Sequence, residues 1–382
     1  MTETGLRQIL GSLRRHPDVE AANLQAWDAT DSLLLDAAAD LLTPETTVAV
    51  IGDNYGALTL GLLASAVGPV PAEVRVHQDL VTGERALRNN AAALGLSEGF
   101  AQLPLGAELL SGADLVLLQL PRTLAELEEI SDAVARHAPA SAVLIAGGRV
   151  KHMSLGMNAV LGQYFGSVQP QLARQKSRLL IASGPVRPEG DRPYPATEHN
   201  TELDLDICAH GAVFAGTRLD IGTRFLLTFL PEIPAATRVV DLGCGTGILA
   251  AMYARRHPET EVVATDRSAA AVASARATAK ANGVAASIKP IQDDAMSTLA
   301  PGSADLILLN PPFHLGSSVH AGAGLKLFEA AGRVLAPGGQ LWTVFNSHLH
   351  YLPALERLVG PTTVRGRNPK FTVATSVTRA AG

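Results

Sequence analysis

The chain has 382 residues, 47% of them apolar, and a formal net charge of −5. That length suits two domains, the apolar share excludes wholesale disorder, and the charge excludes a globally basic nucleic-acid binder. Two cysteines, Cys208 and Cys244, are too few for a disulfide framework or a zinc knuckle; with no basic-then-apolar leader and no bilayer-length apolar run, a reduced cytoplasmic protein without a membrane is expected, a monomer by default.

In chain order, the first strand signal is Val48-Ala49-Val50-Ile51-Gly52. An Ala/Leu-rich helical segment ends at Ala93-Leu94-Gly95-Leu96, and a second strand signal runs from Ala113 through Leu120 to Pro121-Arg122. The same order then returns. Val239-Val240-Asp241-Leu242-Gly243 matches the first run, Ala281-Asn282-Gly283-Val284 the helix end, and Ala304-Asp305-Leu306-Ile307-Leu308-Leu309-Asn310-Pro311-Pro312-Phe313 the second run. Short β-type runs alternating with helical segments predict an α/β protein. Two copies of so long a unit predict two tandem Rossmann-like domains rather than a solenoid. The Pro/Gly-dense stretch from Gly184 to Pro195 reads as the connection, which gives domains over 1–185 and 198–382.

The copies differ where chemistry is concerned. Asp241 is matched by Val50, Gly245 by Asn54, Asn310 by Gln119, Pro311 by Leu120 and Phe313 by Arg122. The first domain therefore reads as a degenerate copy that keeps the fold; the other reading is a crevice for a different ligand. Two stretches are locally basic. Arg149, Lys151, Arg174, Lys176, Arg178, Arg187 and Arg192 outweigh Glu189 and Asp191, and Arg357, Arg365, Arg367, Lys370 and Arg379 have no acid after Arg357. Both suit phosphate-binding patches as well as ordinary solvated surface.

In the second half, Asp241-Leu242-Gly243-Cys244-Gly245-Thr246-Gly247 follows a strand and precedes a helix. Gly243 and Gly245 permit a sharp turn and close approach of backbone to a ligand. Asp266 ends the next run about twenty residues on, a spacing suited to ribose hydroxyls. Both features are shared with dinucleotide binders. Asp241 separates the two cases, since a carboxylate there suits a cationic amino-acid end and disfavours a pyrophosphate. Asp294 follows the third run and could accept from an adenine amine, or sit in a solvated turn. Asn310-Pro311-Pro312-Phe313 then supplies a side-chain oxygen and a backbone carbonyl for the two hydrogens of a planar amine. The prolines stiffen the loop, and Phe313 offers a stacking face. The combination points to methyl transfer from S-adenosylmethionine to a planar amino nitrogen. Upstream, His210 to Phe214 leads into Leu219-Asp220-Ile221-Gly222-Thr223, either a loop over the cofactor, with Phe214, Asp220 and Gly222 as contacts, or a helix start at Asp220. His314 and His320 lie near the loop in sequence; no metal-ligand spacing appears.

With Gly211-Ala212-Val213-Phe214, Leu219 to Thr223, Asp241 to Gly247 and Asn310 to His314, the second half resembles the RsmC/RlmG-type ribosomal RNA guanine-N2 methyltransferases. The likeness spans essentially the whole chain, because that family also carries tandem domains with a degenerate first copy. It implies S-adenosylmethionine as cofactor, held by Asp241, Gly243, Gly245, Asp266 and Asp294, and a target-base pocket at Asn310, Pro311, Pro312 and Phe313. It implies ribosomal RNA or a ribosomal subunit as partner, with the first domain helping to recognise RNA. Asp294 departs from the Asn often found there. Asn346 and Lys370 also fall at polar positions of the family. The same loop serves adenine N6 and protein glutamine amides, and a noncatalytic RNA-binding or assembly protein is the reading from another class.

Overall fold

Short Val/Ile/Leu runs with almost no polar interruption are strands buried on both faces, and the chain supplies one such set in each half. The computed structural model describes residues 3–379 except 22, 65–66 and 313–317. It divides into two units, Met1–Tyr194 and Pro195–Gly382.

In the first unit the strands are β1 (Thr47–Ile51), β2 (Glu73–His77), β3 (Ala101–Gln102), β4 (Leu115–Gln119), β5 (Val143–Arg149), β6 (Phe165–Pro170) and β7 (Ser177–Pro185). They form one sheet in the order β3-β2-β1-β4-β5-β7-β6. Only β7 runs against its neighbours. The helices are α1 (Glu3–Ser12), α2 (Ala29–Ala38), α3 (Ala57–Leu63), α4 (Val81–Leu94), α5 (Ala107–Leu110), α6 (Leu124–His137) and α7 (Leu155–Tyr164).

The second unit opens with a hairpin, β8 (Ala196–Asn200) and β9 (Leu205–Ala209), and continues with β10 (Arg238–Leu242), β11 (Glu261–Asp266), β12 (Ile288–Gln292), β13 (Ala304–Leu309), β14 (Leu335–Asn346), β15 (Thr362–Arg367) and β16 (Phe371–Val377). The large sheet has the order β12-β11-β10-β13-β14-β16-β15, with β16 antiparallel. This is the order of the first sheet repeated. The helices are α8 (Ile221–Leu227), α9 (Ile248–Arg256), α10 (Ala269–Ala281), α11 (Ser318–Val334) and α12 (Leu352–Leu358).

Both faces of the second sheet are covered. Val239, Leu308, Trp342 and Val344 pack with Leu226, Ala250 and Tyr253 on one side. Val240, Ile307, Leu341 and Phe345 pack with Phe328 and Leu355 on the other. The β8–β9 hairpin is tied to α10 by backbone amides of β9. The N–H of Asp206 donates to Asn282, that of Cys208 to the Thr278 hydroxyl and that of His210 to Ser274. These bonds satisfy an otherwise unpaired strand edge and fix where the chain enters the loop leading to α8.

Register places the chemistry. Leu242 of β10 lies beside Thr265 of β11 and Leu309 of β13. Gly243, Asp266 and Asn310 therefore leave three adjacent strands at one level of the carboxyl edge, where open α/β sheets bind ligands.

Candidate active site

The turn after β10 is held open by its neighbours. The N–H groups of Gly243 and Cys244 both donate to the Thr265 carbonyl, at 2.8 and 3.1 Å. The Gly245 N–H donates to Asp266 Oδ2 at 3.1 Å, and Asp266 Oδ1 accepts from Ser268 at 3.0 Å. Gly243 and Gly245 have φ of +71° and +52°, in the left-handed region, and a Cβ on either would meet nothing within 4 Å. Free space above exposed backbone is what a ligand laid on this turn requires. Gly247 is different: a Cβ there would lie 2.9 Å from Ala275, so it serves the close packing of α9 on α10.

Asp241 is 1% exposed. Its Oδ2 accepts from the Ala250 N–H at 2.9 Å, in the first turn of α9, while Oδ1 is buried with no partner among the described residues. Burial, with a smaller contribution from the Asp266 charge, pushes this carboxyl up to about 7. A buried acceptor without a donor is costly, and a cationic donor in the crevice would both satisfy the oxygen and favour its ionised form. Burial and the two nearby carboxylates push the Cys244 thiol well up.

After β12 the sequence-predicted Asp294 is preceded by Asp293, which is 2% exposed and organises the loop. The Asp293 carboxylate accepts from the Asp294 N–H and from the N–H and hydroxyl of Thr298, each at 2.8 Å, and from Ser297. Burial would raise this carboxyl, but the hydrogen bonds prevail and lower it. Ala295 and Met296 follow with φ of +51° and +54°, uncommon for residues with a side chain. Arg333 binds the carbonyls of Met296 and Leu299 from behind. The partly buried Asp294 is ion-paired to Lys326.

Asn310 is the residue on which the arrangement turns. Its Nδ2 donates to Asp220 Oδ2 at 2.9 Å and to Thr223 Oγ1 at 2.8 Å. Its Oδ1 is buried and has no partner among the described residues. Asp220 is the N-cap of α8, and the same Oδ2 accepts from the N–H groups of Gly222 and Thr223 at 2.9 and 3.1 Å. The structure thus joins Asp220, Gly222 and Asn310 from the sequence-derived set, and adds Thr223, which that reading passed over. Pro311 is buried and Pro312 exposed. Phe214 lies in the loop before α8 and is 64% exposed. Phe313 and His314 lie outside the described residues, as does the side chain of His320.

The first unit shows the same edge closed. In place of Asp241 stands Val50, and the carboxylate has moved to Asp53, which accepts from the N–H groups of Gly56, Leu58 and Thr59 and from the Thr59 hydroxyl at 2.7–3.3 Å. A Cβ on Gly52, the match of Gly243, would meet Gln119 at 3.3 Å. The Gln119 side chain donates to Asp31, whose carboxyl burial pushes up to about 7. Protein atoms cover the backbone that the second unit leaves bare.

Among the described residues no cluster of His, Cys, Asp or Glu is arranged to hold a metal ion, and no helix is long and apolar enough to cross a membrane.

Comparison with known proteins bears on the whole chain. Residues 204–375 match the Methyltransferase small domain family and residues 1–186 the RLMG N-terminal domain family. Ribosomal RNA large subunit methyltransferase G of Pseudomonas aeruginosa (strain UCBPP-PA14) is 37% identical over 366 residues, covering 94% of this chain and 96% of that protein. The protein of the same name from Streptomyces avermitilis is 34% identical over 374 residues, with 96% of each covered. The chain belongs to the ribosomal RNA large subunit methyltransferase G family. Its fold is shared with the Thermus thermophilus 16S rRNA N2 G1207 methyltransferase RsmC, solved in complex with AdoMet and guanosine. The TM-score is 0.71, the identity 22%, and 92% of each chain is covered. The same strand order in both units is thus one fold used twice.

Proposed function

We propose that this enzyme transfers the methyl group of S-adenosylmethionine to the exocyclic N2 amine of a guanine in large-subunit ribosomal RNA. The observation that carries the reading is the Asn310 amide. Both of its N–H groups are consumed by Asp220 and Thr223, and its oxygen remains a buried acceptor without a donor. A planar amine supplies the missing donor. S-adenosylmethionine supplies, when bound, an electrophilic methyl group on a sulfonium. The open turn at Gly243 and Gly245, the unpartnered Asp241 Oδ1, Asp266 and the loop at Asp294 fit such a group.

On this reading Asn310 Oδ1 and the Pro311 carbonyl accept the two hydrogens of the amine. That holds the nitrogen lone pair toward the methyl carbon and stabilises the positive charge that develops there. The methylated nitrogen is strongly acidic and loses its proton without a dedicated base. The guanine must leave its stack to reach the edge of the sheet, and Phe313 offers the aromatic face for it.

The first unit supplies RNA affinity. The register pairs Arg149 with Ser177 and Gly148 with Arg178, and Arg174 is bridged to Ser177. Arg149, Lys151, Arg174, Lys176 and Arg178 therefore gather at the carboxyl edge of the first sheet. Arg187 and Arg192 belong to the opposite end, where Arg192 meets His137. In the second unit Lys370 lies in the turn between β15 and β16, and its carbonyl accepts from the Ser347 N–H at the end of β14, so its backbone lies at the carboxyl edge of the sheet.

The deciding experiment incubates the enzyme with labelled S-adenosylmethionine and ribosomal RNA or subunits from cells lacking this gene, followed by mass spectrometry of nucleosides. N2-methylguanosine supports the reading. N6-methyladenosine, or label entering only glutamine of protein substrates, replaces it with the corresponding amine. Cofactor binding with no acceptor of any class leaves the noncatalytic reading.

A further inference from the structure

We infer that Asp220 is a positioning residue: it sets which end of the Asn310 carboxamide faces the substrate. This rests on the functional reading above and goes beyond it, since nothing in that reading requires a carboxylate at the head of α8.

A carboxamide is nearly symmetric in shape, and its two ends differ only in what they offer to hydrogen bonds. Asn310 in the wrong orientation would present N–H groups to an amine that itself carries N–H groups. Something must choose, and of its two contacts only one can. The Thr223 hydroxyl donates or accepts with equal ease. An ionised Asp220 only accepts, so it holds the nitrogen end of Asn310, at 2.9 Å, and leaves Oδ1 directed away. Asp220 is itself fixed, because the same oxygen caps α8 through Gly222 and Thr223. Gly222, Thr223 and Leu226 are buried against the sheet. The chain runs from a helix cap, through one carboxylate oxygen, to the orientation of the acceptor.

The first unit keeps the same architecture. Asp28 caps α2 with Asp31 in a reciprocal pair, and Gln119, the match of Asn310, donates its amide to Asp31. A carboxamide tied to the helix that precedes the first strand is thus part of the fold in both copies. The test must separate that structural share from the chemical one.

Asp220→Ser and Asp220→Thr retain a strong N-cap but shorten the side chain, so the contact with Asn310 is lost. Asp220→Asn keeps an acceptor oxygen at the same position, because the Gly222 and Thr223 N–H groups that donate to it hold the oxygen end of the new amide there. Turnover on ribosomal RNA, affinity for S-adenosylmethionine and melting temperature are measured together. The Ser and Thr variants should lose roughly 100-fold in kcat, the scale for removing one fixed partner of a developing charge. Cofactor affinity should be unchanged, and Asp220→Asn should recover most of the turnover.

If kcat stays at the wild-type level in the Ser and Thr variants while Asn310→Ala is inactive, the inference falls and the functional reading stands. Should Asn310→Ala also retain turnover, the functional reading falls with it. A parallel loss of cofactor affinity makes Asp220 a cofactor contact and overturns the inference. If the shortened variants do not fold, Asp220→Asn decides through NMR. The side-chain amide signal that disappears in Asn310→Ala should shift when the charge is removed, and an unmoved signal refutes the contact.

Discussion

Replacing Asn310 by Ala removes the acceptor on which the proposed chemistry depends, and the structure sets what else the change costs. Two hydrogen bonds disappear, one of them to a carboxylate. Bonds to charged groups contribute about 1.5–3 kcal/mol and neutral ones about 1 kcal/mol. Against that, the free protein is relieved of a buried oxygen without a donor, a penalty of about 1–3 kcal/mol. Asp220 keeps its two backbone donors in α8, so the cap survives. The net effect on stability is therefore bounded, a loss of about 3 kcal/mol at most, or roughly 6–12 °C in melting temperature for a unit of this size. The kinetic effect is not offset in the same way. Losing one preorganised partner of a developing charge costs about 2.7–4 kcal/mol, or roughly 100- to 1,000-fold in kcat. Single-turnover methyl transfer with saturating cofactor, beside cofactor titration and thermal melting, measures the three quantities separately. A kcat within about tenfold of wild type, or a loss of cofactor affinity equal to the loss of rate, would refute the assignment of Asn310 to the amine.

Burial pushes the Asp241 carboxyl up to about 7 in the free protein, and binding of a cation beside it should expel its proton to the buffer. Cofactor affinity then rises with pH toward 7 and levels off above it, and calorimetry at pH 6 in buffers of unlike ionisation enthalpy detects the expelled proton in wild type and not in Asp241→Asn. The same raised carboxyl means that the free protein loses stability from this group as pH climbs from about 4 toward 7, because the unfolded chain ionises first. Equilibrium dialysis should find one cofactor per chain, since Asp53 and Gln119 occupy the first unit's crevice; two per chain would show that this crevice opens. Reversing Lys151, Arg174 and Lys176 to Glu should weaken RNA binding and flatten its dependence on salt by about two to three counterions, with the methyl transfer rate at saturating RNA maintained. An unchanged salt slope would place the RNA elsewhere.

Much of this architecture is legible in the sequence because it depends on local pattern. The apolar runs ending at Ile51, Leu118, Leu242 and Leu309 are strands, the turn from Gly243 to Gly247 lies on the carboxyl edge, and Asn310 emerges beside it. What pattern cannot show is which polar atoms are already occupied. Asp293 and Asp294 are adjacent and chemically alike, yet one is buried in four hydrogen bonds and the other faces Lys326. That division depends on the left-handed backbone at Ala295 and Met296, which no residue type in the segment announces. The role of Asp220 depends on a partner far away in the chain. A signal for it does exist in the repeat: shifted by one residue from the register of the strands, Asp28-Ala29-Thr30-Asp31 falls on Asp220-Ile221-Gly222-Thr223, and a helix cap stands there in both copies.

The two copies together indicate why the proposed chemistry suits the second. Each keeps a carboxylate near the head of the helix after its first strand and a carboxamide tied to the helix before it. In the first copy the carboxylate sits three residues later, accepts four hydrogen bonds and holds no reserve. The Cβ and backbone carbonyl of Gln119 then lie against Gly52, at 3.3 Å from a Cβ placed there. In the second copy both groups stop one bond short: Asp241 and Asn310 each retain a buried oxygen with no donor. Leaving two such acceptors unsatisfied costs stability in the free protein, and a cofactor ammonium and a substrate amine are the donors that would return it. The first copy satisfies the corresponding carboxylate and carboxamide internally, which on the proposed reading removes the demand for a cofactor ammonium and a substrate amine.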